Sequence, residues 1–285
     1  MTKLSVVLAV RNEEANIGRC LEAIKNLASE IVIFDEKSTD STVQIAKSFG
    51  ARIYQVNHED NFHVTKQKAI KAAKGDWILQ LDADEVVTPE LANEIKQLLQ
   101  MPQKDVLSRP VPGLFKRHQK AIEDRDGKIG NSTSEVVAFF IPRRNIFLGK
   151  ALVHAGVYPD AVVRLFKKDR AYLPAKSVHE QMVVDGQVSW LINDLTHYDS
   201  PTIRRYLQRL NRYTDLHAKD LEIKKIPDNA LYFILYTLYK PLIVFLKLYL
   251  RHAGFKDGIR GFLWSAFSAM HYPIAYYKYL TKNNE

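Results

Sequence analysis

Apolar residues in the first hundred positions fall into two alternating patterns. Short unbroken runs alternate with stretches in which they recur every three or four residues. Leu4 to Val10 is apolar and β-branched and reads as a buried strand. Ile17, Cys20, Leu21 and Ile24 follow at helical spacing. Ile31 to Phe34 is a second strand ending at Asp35, and Thr39 to Phe49 predicts a helix stopped by Gly50. Ala51 to Val56, Val64 to Lys74, Trp77 to Leu81 and Thr88 to Leu99 continue as strand, helix, strand, helix. This alternation predicts an α/β fold: a mostly parallel sheet with right-handed crossovers, flanked by helices. Sites in such sheets form at the carboxyl ends of strands. Val10–Glu13, Asp35 and Asp82–Glu85 all occupy strand ends and are expected to converge.

The pattern then changes. Met101 to Thr133 is rich in Pro, Lys, Arg, Asp and Gly without sustained period, and predicts a long loop (101–133). Glu135–Ile141, Val162–Phe166 and Val188–Leu195 read as further strands, the last leading to His197. Pro201 to Leu221 suits a helix. Two strongly apolar helical stretches follow, Ala230–Leu250 and Ile259–Leu280. Lys240, Lys247 and Arg251 share one face of the first, and Arg260, His271 and Lys278 one face of the second. Pro241 and Pro273 interrupt both, so helices lying in a membrane interface are expected ahead of a simple span. The expected division is a catalytic domain over 1–200 and a helical, membrane-associating module over 201–285.

Charge sharpens that division. The 285-residue chain carries a formal +9, of which +8 falls in residues 201–285 (14 Lys+Arg against 6 Asp+Glu). Ten of the 14 tyrosines lie there too. A nearly neutral body thus carries a basic, tyrosine-rich module that calls for an anionic surface. The single cysteine, Cys20, excludes an intramolecular disulfide. No basic stretch followed by a long apolar run precedes the first strand, so a cytoplasmic setting is expected. Neither a Gly-x-Gly-x-x-Gly after the first strand nor a Gly-x-x-x-x-Gly-Lys-Ser/Thr is present, which argues against a dinucleotide oxidoreductase or a P-loop enzyme.

Gly75-Asp76-Trp77-Ile78-Leu79-Gln80-Leu81-Asp82-Ala83-Asp84-Glu85 runs an apolar strand into three carboxylates. Strand side chains alternate, so Asp82 and Asp84 can face the same way. Carboxylates at the end of a buried strand are costly without a nearby cation. A hard divalent ion that also holds a diphosphate meets that need. The alternative is a helix N-terminus dressed with acids, since Thr88-Pro89-Glu90 opens a helix just beyond.

These pieces resemble one family. Ser5–Glu14, Phe34-Asp35 with Ser38-Thr39-Asp40-Ser41-Thr42, and Gly75–Glu85 are similar to glycosyltransferase family 2 with the GT-A fold. Pro142–Lys150, His154, Tyr158-Pro159-Asp160, Arg164-Leu165-Phe166, Val178-His179-Glu180, His197-Tyr198 and Gly254-Phe255-x-Asp257-Gly258 resemble the branch with lipopolysaccharide core β-1,4-glucosyltransferases. The resemblance implies an inverting transfer of a hexose, glucose first among the expectations, from a UDP-sugar to a lipid-linked saccharide at the inner face of the cell membrane. It implies Mg²⁺ or Mn²⁺ as cofactor. It makes Asp84 the direct metal ligand, with Asp82 beside it or on the donor ribose, and His179 a further metal candidate. Asp35 would meet the uracil, Ala9, Val10, Arg11 and Glu13 would embrace base and ribose, and Lys66 would lie near base or phosphates. Glu180 matches the base that deprotonates the acceptor hydroxyl. Arg143, Arg144 and Arg164 would grip phosphate or pair with acids. His197 is expected to be structural. One departure concerns the turn after Asp35, where the family's glycine is Lys37 and the backbone must tolerate a side chain.

Two other functions fit less well. One is a family 2 transferase using a polyprenyl phosphate or protein acceptor. The other is a non-catalytic basic module for membrane or nucleic acid. The intact Asp82-x-Asp84 and Glu180 favour the enzyme, so no nucleic-acid partner is expected.

Overall fold

The computed structural model describes residues 2–131, 135–174 and 181–282. They form two compact units: 1–143 with 159–197, and 144–158 with 198–285.

The first unit is built on a seven-stranded sheet. Its early strands are β1 (Leu4–Val10), β2 (Glu30–Asp35), β3 (Arg52–Gln55) and β4 (Trp77–Gln80), with helices α1 (Ile17–Ile24), α2 (Thr42–Ser48) and α3 (Phe62–Ala72) between them. β1 lies parallel between β4 and β2, and β3 continues parallel outside β2. The run Leu4–Val10 is almost wholly buried because helices cover both faces. α1 turns Ile17, Cys20, Leu21 and Ile24 onto that core, as its period predicts. Gly75, just before β4, is required by space: a Cβ there would stand 2.7 Å from the backbone nitrogen of Ser5.

β5 (Glu85–Val87) and α4 (Pro89–Leu98) follow, α4 being capped by the Thr88 hydroxyl, which accepts from the Leu91 N–H. The expected loop 101–133 is instead largely helical, with α5 (Gln103–Ser108) and α6 (Gly113–Asp126). The prolines that suggested a loop, Pro102 and Pro112, sit at the N-caps of these helices, where a missing N–H costs nothing. Only Phe115 and Ile122 are buried in α6, too few to show a period; Phe115 stacks on Trp190.

The remaining strands are β6 (Val136–Ile141), β7 (Arg143–Phe147), β8 (Lys150–Ala151), β9 (Val162–Lys167), β10 (Ala171–Tyr172), β11 (Val183–Val184), β12 (Gln187–Trp190) and β13 (Leu195–Ser200). β9 inserts antiparallel between β4 and β6, and β12 adds parallel to β6. The sheet is therefore mixed, with four parallel pairings and two antiparallel ones. The expected strand Val188–Leu195 ends early, at Trp190. His197 lies on β13, which pairs antiparallel with β5.

The second unit contains the β7–β8 hairpin, α7 (Ile203–Ile223), a helical stretch Ala230–Arg251 and the C-terminal helix Gly258–Lys282. Neither proline breaks its helix. Pro241 follows a π-wound turn, Leu235–Tyr239, which absorbs the hydrogen bond the proline cannot donate. Lys240 does not join a basic stripe: its ammonium sits 3.5 Å from the centre of the Tyr236 ring, whereas Lys247 and Arg251 are exposed. Two apolar clusters hold this unit, one around Phe147, Leu152 and Tyr206, the other around Leu221, Tyr236, Tyr276 and Tyr279.

Candidate active site

The parallel order β4-β1-β2 sets three strand ends side by side. The Val10 carbonyl accepts from the Glu36 N–H, and the Val7 carbonyl from the Leu81 N–H. Beyond β1 and β2 the two loops are stitched together. The Asn12 N–H donates to the Ser38 hydroxyl at 2.9 Å, the Thr39 N–H to the Asn12 side chain at 2.8 Å, and the Glu13 N–H to the Thr42 hydroxyl at 2.7 Å. Asn12 and Lys37 both take left-handed backbone conformations (φ 54° and 55°). Lys37 thus bears the conformation its glycine-like position demands.

Asp35 is fully buried and accepts from the Ser38 N–H (3.1 Å) and hydroxyl (2.5 Å). Ala9 and Val10 close β1, Arg11 is exposed just past it, and Glu13 is half-buried and accepts from the Asn16 amide at 2.8 Å. The donor-binding candidates on β1 and β2 therefore share one rim.

The carboxylates after β4 have separate fates. Asp82 meets Lys66 at 2.5 Å through Oδ1 and Arg164 at 2.6 Å through Oδ2. Lys66 arrives from α3, which is fixed to the end of β2 by its preceding residue: the buried Thr65 hydroxyl donates to Glu36 at 2.5 Å. Arg164 arrives from β9, whose antiparallel insertion puts it across from the end of β4. It also donates to Gln80 and, at 2.7 Å, to Glu85. Burial works to raise the Asp82 carboxyl, but Arg164 and Lys66 outweigh it and hold it well below the usual carboxylate range. Burial lowers Lys66. Arg164 is raised: its burial is more than offset by Asp82 and Glu85. Asp82 is thus spent on two protein cations.

Glu85 is fully buried and accepts from Arg164 and, at 3.3 Å, from Arg143. Arg143 also pairs with Asp160 at 2.9 Å. Of the arginines expected to grip phosphate or pair with acids, Arg143 and Arg164 pair with acids. Arg144 is exposed and belongs to the other unit.

Asp84 points elsewhere. Its Oδ1 lies 3.7 Å from Nε2 of His197, and both side chains are largely shielded from solvent. The β5–β13 ladder makes this approach, setting His197 opposite Glu85. Among the described residues no group of three or more His, Cys, Asp or Glu could hold a metal. His179 and Glu180 lie outside the described residues.

Sequence reasoning gave Glu85 no role and expected His197 to be structural. Glu85 was legible only as a third acid. The meeting of His197 with Asp84 depends on a long-range strand pairing that no local period announces.

The sequence profile described as Glycosyl transferase family 2 matches residues 5–146. The chain carries a family 2 glycosyltransferase domain. This transferase is 25% identical over 266 residues to the lipopolysaccharide core biosynthesis glycosyltransferase LpsC of Rhizobium meliloti, covering 91% of this chain and 85% of that one. It is 27% identical over 230 residues to an uncharacterized glycosyltransferase of Rickettsia typhi, covering 78% and 68%. Among solved structures, the mannosyltransferase PcManGT from Pyrobaculum calidifontis, in complex with GDP-Man and Mn²⁺, superimposes with a TM-score of 0.50. It shares 14% identity, over 98% of this chain and 87% of that one. The transferase has the GT-A fold, with a C-terminal helical region.

Proposed function

We propose that this glycosyltransferase moves a hexose, glucose first among the candidates, from a UDP-sugar to a lipid-linked saccharide such as the lipopolysaccharide inner core, with inversion. The observation that carries the reading is the separation of the two aspartates. Asp82 is neutralised by Lys66 and Arg164, while Asp84 stands beside His197.

One carboxylate and one imidazole form a fitting donor set for Mg²⁺ or Mn²⁺, which take few protein ligands and complete their shells with phosphate oxygens and water. Such an ion would offset the charge that develops on a departing diphosphate. Asp35 and Glu13 would hold base and ribose, with the backbone of Ala9–Arg11 alongside. Asp82, fixed by two cations, would keep the turn before Asp84 in place or reach the ribose. Glu180 would take the proton of the acceptor hydroxyl. A carboxylate does this near neutral pH only in a partly desolvated setting.

The similarity to LpsC over most of the chain supports a lipopolysaccharide-type acceptor. The second unit supports a membrane-bound one. Ala230–Arg251 is long and apolar enough to cross a membrane, and only 6% of its most apolar stretch is buried in the protein. Its exposed residues include Leu231, Phe233, Ile234, Leu238, Leu242 and Leu246. We favour an in-plane attachment to the cytoplasmic leaflet, with Lys247 and Arg251 at the anionic surface.

Calorimetry with UDP and Mn²⁺, followed by transfer to membrane extract from labelled UDP-glucose, UDP-galactose or UDP-N-acetylglucosamine, tests the reading. A protein that binds neither UDP nor UDP-sugars with metal present would overturn it.

A further inference from the structure

We propose that Glu85 is the positioning residue for the Asp84–His197 pair, a role that rests on the donor reading above. Glu85 touches both halves of that pair's framework. Its Oε2 accepts from the Asp82 N–H at 3.0 Å, while its own N–H donates to the Asp82 carbonyl at 3.0 Å. This reciprocal clamp closes the turn Asp82-Ala83-Asp84-Glu85 and sets the direction of the Asp84 side chain. Its backbone then opens β5 and stands opposite His197 on β13. One residue therefore fixes the turn that carries the carboxylate and the strand that carries the imidazole.

The position is costly for an acid. A fully buried carboxylate needs partners, and Glu85 has two arginines on Oε1. An apolar side chain could fill the same space, but it could not accept the Asp82 N–H. Outer contacts of this kind orient the groups that touch a metal, and losing them typically weakens metal affinity about 10–100-fold.

The experiment uses the full chain, with UDP affinity measured by calorimetry with and without Mn²⁺, and bound Mn²⁺ counted by electron paramagnetic resonance. Wild type is compared with Glu85→Gln and Glu85→Asp. Each arginine keeps another acid, Asp82 for Arg164 and Asp160 for Arg143. Glu85→Asp retains the charge but is one methylene too short to reach both the arginines and the Asp82 N–H. Metal-free UDP affinity is expected to stay within about threefold of wild type, whereas the gain conferred by Mn²⁺ falls by about tenfold or more. Should Glu85→Gln fail to fold, Glu85→Asp decides. Two results overturn the role: variants that keep the full Mn²⁺-dependent gain, or variants whose metal-free and metal-loaded UDP affinities fall together with melting temperature, as a merely structural residue would give. If wild type itself binds no UDP, the donor reading fails and this role with it. If wild type binds UDP with Mn²⁺ and the variants do so equally well, only the role of Glu85 fails.

Discussion

Nζ of Lys66 stands 2.5 Å from Oδ1 of Asp82, at the point where α3 reaches the end of β4. This contact opens a chain of ion pairs, with Lys66, Arg164 and Glu85 buried and Asp160 at its more exposed end, that runs from Lys66 through Asp82, Arg164, Glu85 and Arg143 to Asp160. Three cations meet three acids along it, so its formal charge balances. A balanced chain adds little net stability over apolar packing, because desolvation offsets most of the attraction. Its value is directional: it holds the end of β4, from which the turn carries Asp84 toward His197.

Breaking that chain in the middle is expected to be expensive. Arg164→Met leaves Lys66 as the one cation paired with Asp82 and the longer Arg143 contact as the one ion pair of Glu85 among the described residues. Removing one partner of a buried pair typically costs about 3–5 kcal/mol. Urea unfolding of wild type and variant measures it. A loss below about 1 kcal/mol, the range of exposed pairs, would mean that water already screens the network.

The same chain sets an acid limit. The folded-state pKa of Asp82 is held below its unfolded value of about 3.9. Its ion pairs therefore contribute fully above about pH 4 and are lost as pH falls further toward the folded value. The stability gap between wild type and Asp82→Asn should be flat from about pH 8 to 5 and shrink below about pH 4. Thermal melts across that range check the sign. A gap that widens on acidification would contradict it.

How far the sequence reached depends on where the determining contacts lie. β1, β2 and β4 were legible as short continuous apolar runs buried on both faces, and α1 because Ile17, Cys20, Leu21 and Ile24 bury one helical face. α6 was not, because only two of its fourteen residues are buried and its proline stands at the N-cap. The antiparallel course of β9 was equally hidden, since a run such as Val162–Lys167 reads the same in either direction. The clustering of Lys66, Asp82 and Arg164 follows from that course, Asp82 and Arg164 being 82 positions apart in the chain. Lys240 misled for a different reason: the seven-residue step to Lys247 runs through regular α-helix, but the Lys240 ammonium folds back over the Tyr236 ring, and only the four-residue step to Arg251 falls in a π-wound turn.

Asp84→Ala and His197→Ala are each expected to abolish the metal-dependent part of turnover. An interaction that stabilises charge developing on a leaving group typically carries about 2.7–4 kcal/mol, or roughly 10²–10³ in kcat. Initial rates against Mn²⁺ concentration, with UDP-glucose as donor, measure the loss. If Asp82→Asn abolished metal dependence while Asp84→Ala kept it, the assignment of the two acids would be reversed.

Glu180→Gln is expected to separate binding from chemistry. The amide cannot take a proton, so transfer should fall by about 10²–10⁴ while UDP affinity stays near wild type. Calorimetry and a transfer assay on the same preparation suffice. Undiminished transfer would remove Glu180 from the mechanism and leave another group to accept the proton.

The exposed face of Ala230–Arg251 gives the last prediction. Leu238 and Leu242 lie one turn apart on it, 65% and 56% exposed. No lysine or arginine interrupts them on the solvent side, because Lys240 is folded back over Tyr236. Burying one such leucine yields about 1.5–3 kcal/mol, so Leu238→Asp with Leu242→Asp should weaken partition into bilayers by at least about 100-fold. Neither leucine belongs to the apolar clusters of the second unit, so the variant should keep its melting temperature. Flotation with liposomes of neutral lipid and of neutral plus anionic lipid separates the two contributions. Electrostatic attachment through Lys247 and Arg251 is worth only about 1 kcal/mol per residue near the surface and is screened by salt. Apolar insertion should therefore survive a moderate-salt wash in wild type and disappear in the double variant. Wild type that leaves the liposomes in moderate salt would reduce the attachment to charge alone, and wild type that never floats would exclude the membrane as the partner of this face.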